Sequence, residues 1–330
     1  MRCAVVGAGA WGTALADRLA RNAHVVRIWA YEPDVAESIN ARHVNRFLPD
    51  VMLPDTIVAS TSMRDVVTGA DVLVMVAPSH VTRAMAEAAQ PHLSGETTVV
   101  VASKGIEQHT LACMSQVVED VFDGVPAVAL SGPSFAAEVA RGMPTAVVAA
   151  CADSAPAQLV QRVFHAPAFR VYTQPDVIGA ELGGAVKNVI AVATGVCEGL
   201  GLGFNARAAL ITRGLAEMTR LGIALGADAE TFAGLAGLGD LVLTCTGSLS
   251  RNRALGLEIG QGKTLEETLS GRETVAEGVI TTRSARALAE REGVEMPIVE
   301  AVYDVLFEGR APRDAMTDLM SRDPRAERDE

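Results

Sequence analysis

The chain has 330 residues, 49% of them apolar and 21% charged, with a formal net charge of −12. This length predicts about two domains, because single cores stop growing near roughly 250–300 residues, and the apolar share excludes intrinsic disorder as the main state. An acidic balance with no basic run excludes a general nucleic-acid binder, which needs clustered Lys and Arg, but leaves room for an anionic ligand in a local positive pocket.

From residue 2 to about 173, short apolar runs alternate with helical segments. Strand character falls on 2–6, 25–30, 56–59, 72–77, 97–102, 127–130, 145–150 and 169–172, with helical spacing between the earlier runs, as at 13–21 and 81–90. This rhythm predicts an α/β class: a Rossmann-type, mostly parallel sheet covered by helices on both faces. After Gln174, Pro175 and Asp176 the texture becomes helical, over about 180–200, 206–225, 228–236, 252–260, 264–270, 280–292 and 297–308. A boundary is therefore expected near 175–180, with a dinucleotide-binding domain over 1–178 and an all-helical substrate-binding domain over 179–330. The charged residues 321–330 are expected to fray.

No uninterrupted apolar stretch reaches 18 residues, so no membrane span is expected. A signal peptide is not expected either, because a structural motif begins at Gly7. The five cysteines (Cys3, Cys113, Cys151, Cys197, Cys245) form no CxxC pair, and the histidines show no metal-ligand spacing. These counts point to no metal and to a reducing cytoplasm.

Of the 28 basic residues only three are lysine: Lys104, Lys187 and Lys263. Arginine stays charged at any physiological pH, so a lysine retained in such a chain is a candidate proton carrier.

Gly7, Gly9 and Gly12 form a GxGxxG turn after the first strand and open the first helix, and Glu32 follows 20 residues past Gly12. In that setting the motif predicts a dinucleotide site, with the pyrophosphate on the helix N-terminus and Glu32 on the adenosine ribose. Tyr31 and Arg27 are positioned to accommodate a 2′-phosphate, so NAD and NADP both remain open. Small or polar residues follow the later strands: Pro78 and Ser79; Ser103, Lys104 and Gly105; Ser131, Gly132, Pro133 and Ser134. Ligands of open parallel sheets bind along that edge, which sets Lys104 beside the crevice unless it is a snorkelling surface lysine.

Gly183, Gly184, Lys187 and Asn188 lie early in a long helix. Two glycines inside a helix cost about 1 kcal/mol each relative to Ala, so they answer either to close packing or to a ligand approaching Lys187, the latter being the stronger expectation. Asp240 and Thr244 stand one helical turn apart after a double-glycine turn, where Asp240 is either a helix cap or a functional acid. Ser250, Arg251 and Asn252 are either a capped helix start or an anion site.

Taken with Phe47-Leu48-Pro49, Asn205-Ala206-Arg207, Arg213-Gly214 and Glu277-Gly278, these motifs resemble, in order and along nearly the whole chain, bacterial NAD(P)-dependent glycerol-3-phosphate dehydrogenase. The resemblance implies Lys187 as proton acceptor and Lys104 as a lysine contacting both substrate and cofactor. It implies substrate contacts from Gly132, Ser134, Asn188, Asp240, Thr244, Arg251 and Asn252, with Ser250 in the same motif. Cofactor contacts are implied for Ala10, Trp11, Tyr31, Ala136, Arg251 and Glu277. Position 10 is Ala where the family often has Ser, and position 31 is Tyr where His or Arg is common. The implied reaction is reversible reduction of dihydroxyacetone phosphate to sn-glycerol 3-phosphate, which supplies the backbone for phospholipid synthesis. Asp240 is then expected to orient the lysines and Arg251 to grip the phosphate. The resemblance implies a small-molecule phosphate substrate, and the apolar helical half leaves a homodimer open. Other Rossmann dehydrogenases with helical domains, of the 3-hydroxyacyl, 6-phosphogluconate or 2-ketopantoate type, are the alternative enzymes. A non-catalytic NAD(P)-binding protein is the alternative outside catalysis.

Overall fold

The structure, a computed structural model, describes residues 1–271, 276–323, 326 and 327. The strands are β1 (Arg2–Val6), β2 (Val25–Trp29), β3 (Ile57–Ser60), β4 (Val72–Met75), β5 (Thr98–Val101), β6 (Ala127–Ser131), β7 (Thr145–Ala150) and β8 (Phe169–Gln174). They form one sheet in the order β3-β2-β1-β4-β5-β6-β7-β8, parallel except where β6 meets β7. Its first six strands follow the 3-2-1-4-5-6 order of dinucleotide-binding sheets, which reverses direction between β1 and β4 and opens a crevice there.

Alternation within the strands divides the sheet's two faces. Val5, Ile28, Val74, Val100 and Val128 enter one core, whereas Ala4, Val6, Leu73, Met75, Val99 and Val101 enter the other. Both faces are covered by α1 (Ala10–Arg21), α2 (Pro33–Arg42), α3 (Met63–Val67), α4 (Thr82–Ala89), α5 (Met114–Val121), α6 (Ala136–Ala140) and α7 (Ser154–Phe164). Near-continuous apolar strands are the expected partner of that double covering.

Beyond the sheet follow α8 (Val177–Gly199), α9 (Gly203–Ala224), α10 (Ala229–Ala233), α11 (Asp240–Thr246), α12 (Arg251–Gly260), α13 (Leu265–Leu269), α14 (Glu277–Glu292), α15 (Pro297–Phe307) and α16 (Pro312–Met320). α8 is the axis of this half, buried at every position from Gly179 to Cys197. By length and hydropathy it would cross a membrane, but 89% of its most apolar window is buried inside the protein, so it is a core helix. It packs on α12 through small residues: a Cβ on Gly195 would lie 2.1 Å from the Arg253 carbonyl oxygen, and one on Gly256 2.1 Å from that of Val192.

Three details depart from expectation. The helix sought over 228–236 stops at Ala233, and Gly237 and Gly239 sit in a π-helical turn, Leu235–Gly239, that runs straight into α11. α16 was not foreseen, because its short amphipathic pattern lies between Pro312 and the charged tail. Of the tail expected to fray, residues 324–325 and 328–330 lie outside the described residues.

Candidate active site

The glycine-rich turn joins β1 to α1, and each glycine answers a different requirement. Gly7 adopts φ +122°, a region that side chains rarely enter. A Cβ on Gly12 would fall 1.9 Å from the Gly7 carbonyl oxygen. Gly9 alone faces open space, with no protein atom within 4 Å of the Cβ it lacks. No side chain caps α1 and no acid occupies its first turn, so its first N–H groups and its dipole face that space unopposed. A pyrophosphate fits there on chemistry and on room. Ala10 and Trp11 begin α1, the Trp11 indole N–H is buried without a partner, and Ala136 begins α6, which packs against α1.

At the far end of the crevice, Glu32 precedes α2, its carbonyl accepting from the Val35 and Ala36 N–H groups, while its carboxylate makes no hydrogen bond among the described residues and stays available. Tyr31 is 78% exposed and leans on Trp29. Arg27 donates one N–H to the Asp65 carbonyl of α3 at 2.6 Å.

The polar cluster forms where the carboxyl ends of β5 and β6 meet α8 and α11. Asp240, 1% exposed, accepts from both lysines: Lys104 Nζ on Oδ2 at 2.7 Å and Lys187 Nζ on Oδ1. Lys104 also donates to the Gly132 carbonyl at 3.0 Å, and Lys187 to Thr244 Oγ1 at 2.8 Å. Each ammonium carries three N–H bonds and spends two on the protein, so each keeps one for a ligand oxygen. Burial pulls the Lys187 pKa down to about 8; Lys104 adds to this, while Asp240 opposes it.

Asp240 is not an N-cap. It lies inside the helical run, at φ −73° and ψ −32°, and its carboxylate turns to the lysines. The paired glycines of α8 are packed closely against their neighbours. A Cβ on Gly183 would meet the Ala236 carbonyl oxygen at 2.5 Å, and one on Gly184 would meet Ser131 Oγ at 2.8 Å beside the Lys104 side chain. Their absence of side chain lets α8 settle onto the residues that surround the lysines.

Asn188 and Asn252 pair at 2.9 Å, and Asn252 Oδ1 accepts from the Gly278 N–H at 2.9 Å, tying α8, α12 and α14 together. Ser134 Oγ donates to the Gly132 carbonyl. Ser250 takes the capping role: its buried hydroxyl accepts from the Arg253 N–H at 3.2 Å. Next to it, Arg251 is exposed at the start of α12 and makes no hydrogen bond among the described residues, with the charge of Glu277 as its electrostatic neighbour. Glu277 itself accepts from the Ser79 N–H at 3.1 Å and from Ser79 Oγ at 2.6 Å, bridging α14 to the end of β4. Its burial holds the carboxyl above the usual range.

Two contributors escape sequence reasoning. Asn45 donates to the Ala8 carbonyl at 2.8 Å and to Thr13 Oγ1, holding the glycine-rich turn from 37 residues away. Ser79 is recognisable as a strand-end residue, but its partner lies 198 positions on. No local spacing encodes either contact; only the Phe47-Leu48-Pro49 motif marks the neighbourhood of Asn45.

Two family models, described as the N-terminus and the C-terminus of NAD-dependent glycerol-3-phosphate dehydrogenase, match residues 2–157 and 176–317. The glycerol-3-phosphate dehydrogenase [NAD(P)+] of Syntrophotalea carbinolica is 53% identical over 333 residues, covering 100% of both chains. The chain belongs to the NAD-dependent glycerol-3-phosphate dehydrogenase family. Within that family, the protein of the same name from Geobacter metallireducens is 56% identical over 98% of each chain. The crystal structure of the Coxiella burnetii glycerol-3-phosphate dehydrogenase superposes with a TM-score of 0.94 at 41% identity, covering 97% of this chain and 99% of that one. This glycerol-3-phosphate dehydrogenase family member thus shares its whole architecture, sheet and helical half alike, with a solved relative.

Proposed function

We propose that the chain interconverts dihydroxyacetone phosphate and sn-glycerol 3-phosphate with NAD(P)(H). The observation that carries this reading is the cluster of buried Asp240 and Lys187 with half-buried Lys104, on the same sheet edge as a glycine turn whose backbone faces open space. β5, which leads to Lys104, stands two strand spacings from β1, about 10 Å.

When bound, the dinucleotide supplies or accepts a hydride at C2 of the substrate. The N-terminus of α1 binds its pyrophosphate, and Glu32 the adenosine ribose. The Lys187 ammonium donates its third proton to the C2 oxygen in reduction, and the free amine takes that proton back in oxidation. A pKa near neutrality serves both directions. Lys104 aims its remaining N–H at a substrate oxygen, and Asp240 holds the two cations together with Thr244 as second acceptor for Lys187. Arg251, unpaired beside the helix start, grips the phosphate with its planar fork, flanked by Asn252. A dinucleotide unit over 1–178 and a substrate unit over 179–330 fit this division of labour. The five free, buried cysteines support a cytoplasmic setting.

The test is dihydroxyacetone phosphate reduction by the purified chain with NADH and NADPH in parallel. Phosphate-dependent loss of reduced-nucleotide absorbance is expected. No consumption with either nucleotide would overturn the reading.

A further inference from the structure

Glu181, Gly184, Lys187 and Asn188 keep to one face of α8 at spacings of three and four, all of them buried. Two turns before Lys187, Glu181 accepts from the Ser115 backbone N–H at 2.9 Å and from the Ser115 hydroxyl. Both residues are buried, at 7% and 2% exposure. Ser115 lies in the first turn of α5, where N–H groups have no partner within the helix.

The segment between β5 and α5 is folded into a clip. Ile106 bridges to Cys113, and the Glu107 N–H donates to the Ala112 carbonyl at 2.9 Å. One arm of the clip begins at Lys104 and the other leads to Ser115. Ile106 and Cys113 pack into the helical core around α8, not into the sheet's own layers. Lys104 leaves the end of β5, where Ser103 Oγ donates to the Ala77 carbonyl at 2.6 Å, so the clip is the second tie on this segment, the one that joins it to α8.

We infer that Glu181 is a positioning residue: by holding Ser115 it fixes the clip that carries Lys104 and so sets the Lys104–Lys187 spacing that Asp240 bridges. This inference rests on the proposed function above. Among the described residues no cation stands against the carboxylate. The titratable groups around it are the Cys113 thiol and Glu119, and burial lifts its own pKa to about 7. An apolar residue there would avoid the cost of burying a carboxylate without a cation. What only a carboxylate offers is two acceptor oxygens in one plane, one for an N–H and one for an O–H.

The test compares Glu181→Ala, Glu181→Gln and Ser115→Ala with the natural protein. Turnover is measured, and so is the titration of Lys187 in the protein without nucleotide. With only three lysines in the chain, pH-dependent labelling by an amine reagent and peptide mass spectrometry resolves Lys187 singly. The natural protein should give a labelling midpoint near 8. Loosening the clip moves the Lys104 charge away and admits water, so the midpoint should rise in Glu181→Ala and, less, in Ser115→Ala. kcat should fall by at least about tenfold in Glu181→Ala, with the KM for NADH changed by less than about twofold. Glu181→Gln, which keeps one acceptor, should recover part of both. If Glu181→Ala does not fold, Ser115→Ala and Glu181→Gln decide. A natural midpoint and natural kcat in those folded variants would overturn the inference, as would a lowered melting temperature with an unmoved midpoint. Absence of turnover in the natural protein would overturn the proposed function instead, while the labelling midpoints would still report on the clip.

Discussion

The two sides of the crevice are built from opposite materials. On the sheet side, the glycine-rich turn presents backbone: Gly9 faces empty space and the start of α1 is uncapped. On the helical side, Lys187 and Asp240 present buried side chains, bonded to each other and, through Asp240, to Lys104 from the sheet edge. A backbone site needs only the right turn and tolerates no added atoms. A side-chain site needs several distant segments to arrive together, and each group's chemistry is set by its neighbours. Binding the nucleotide and moving the proton are therefore expected to fail independently.

Lys187→Met should break the helical side alone. Turnover should fall by about 10²–10⁴, the usual range for a general acid or base, with NADH affinity retained by fluorescence titration. Near-normal turnover would remove Lys187 from the mechanism. The natural protein should show the same residue in its pH dependence. Reduction requires the ammonium and should decline as pH rises through about 8, whereas oxidation requires the amine and should increase over the same interval. Parallel profiles in both directions would detach the proton step from Lys187.

The glycines sharpen the contrast on the sheet side. Gly9→Ala places a methyl in open space at φ −68°, so the fold should keep its melting temperature while the Kd for NADH rises about tenfold. Gly12→Ala drives a Cβ into the Gly7 carbonyl and should lower the melting temperature itself. Equal melting temperatures for the two variants would contradict the geometry of the turn. Arg251→Ala should have the smallest structural effect, within about 0.5 kcal/mol of stability, and should chiefly raise the KM for dihydroxyacetone phosphate. An unchanged KM would move the phosphate site elsewhere.

The sheet was legible strand by strand, because doubly covered parallel strands are apolar throughout and stand out from amphipathic helices. The reversal of β7 and β8 against the first six strands was not, since their runs read like those of the parallel strands before them. Gly183 and Gly184 were legible as costly, but the packing that each makes was not. A helix sequence marks where a side chain is missing but not which neighbour fills the gap. Ser250 and Asp240 show the same limit in mirror image, one proving to be the cap that the other is not.

Local chemistry was written in the chain order: a strand, a turn that only glycine can make, and a helix whose first N–H groups await an anion. The pyrophosphate turn lies within a dozen residues, and with Glu32 20 residues past Gly12 it is recognised from the chain order alone. The proton-carrying cluster was decided by tertiary structure. Its bonds join residues 53 and 136 positions apart, and the lowered pKa of Lys187 arises from burial that only the assembled helices around α8 create.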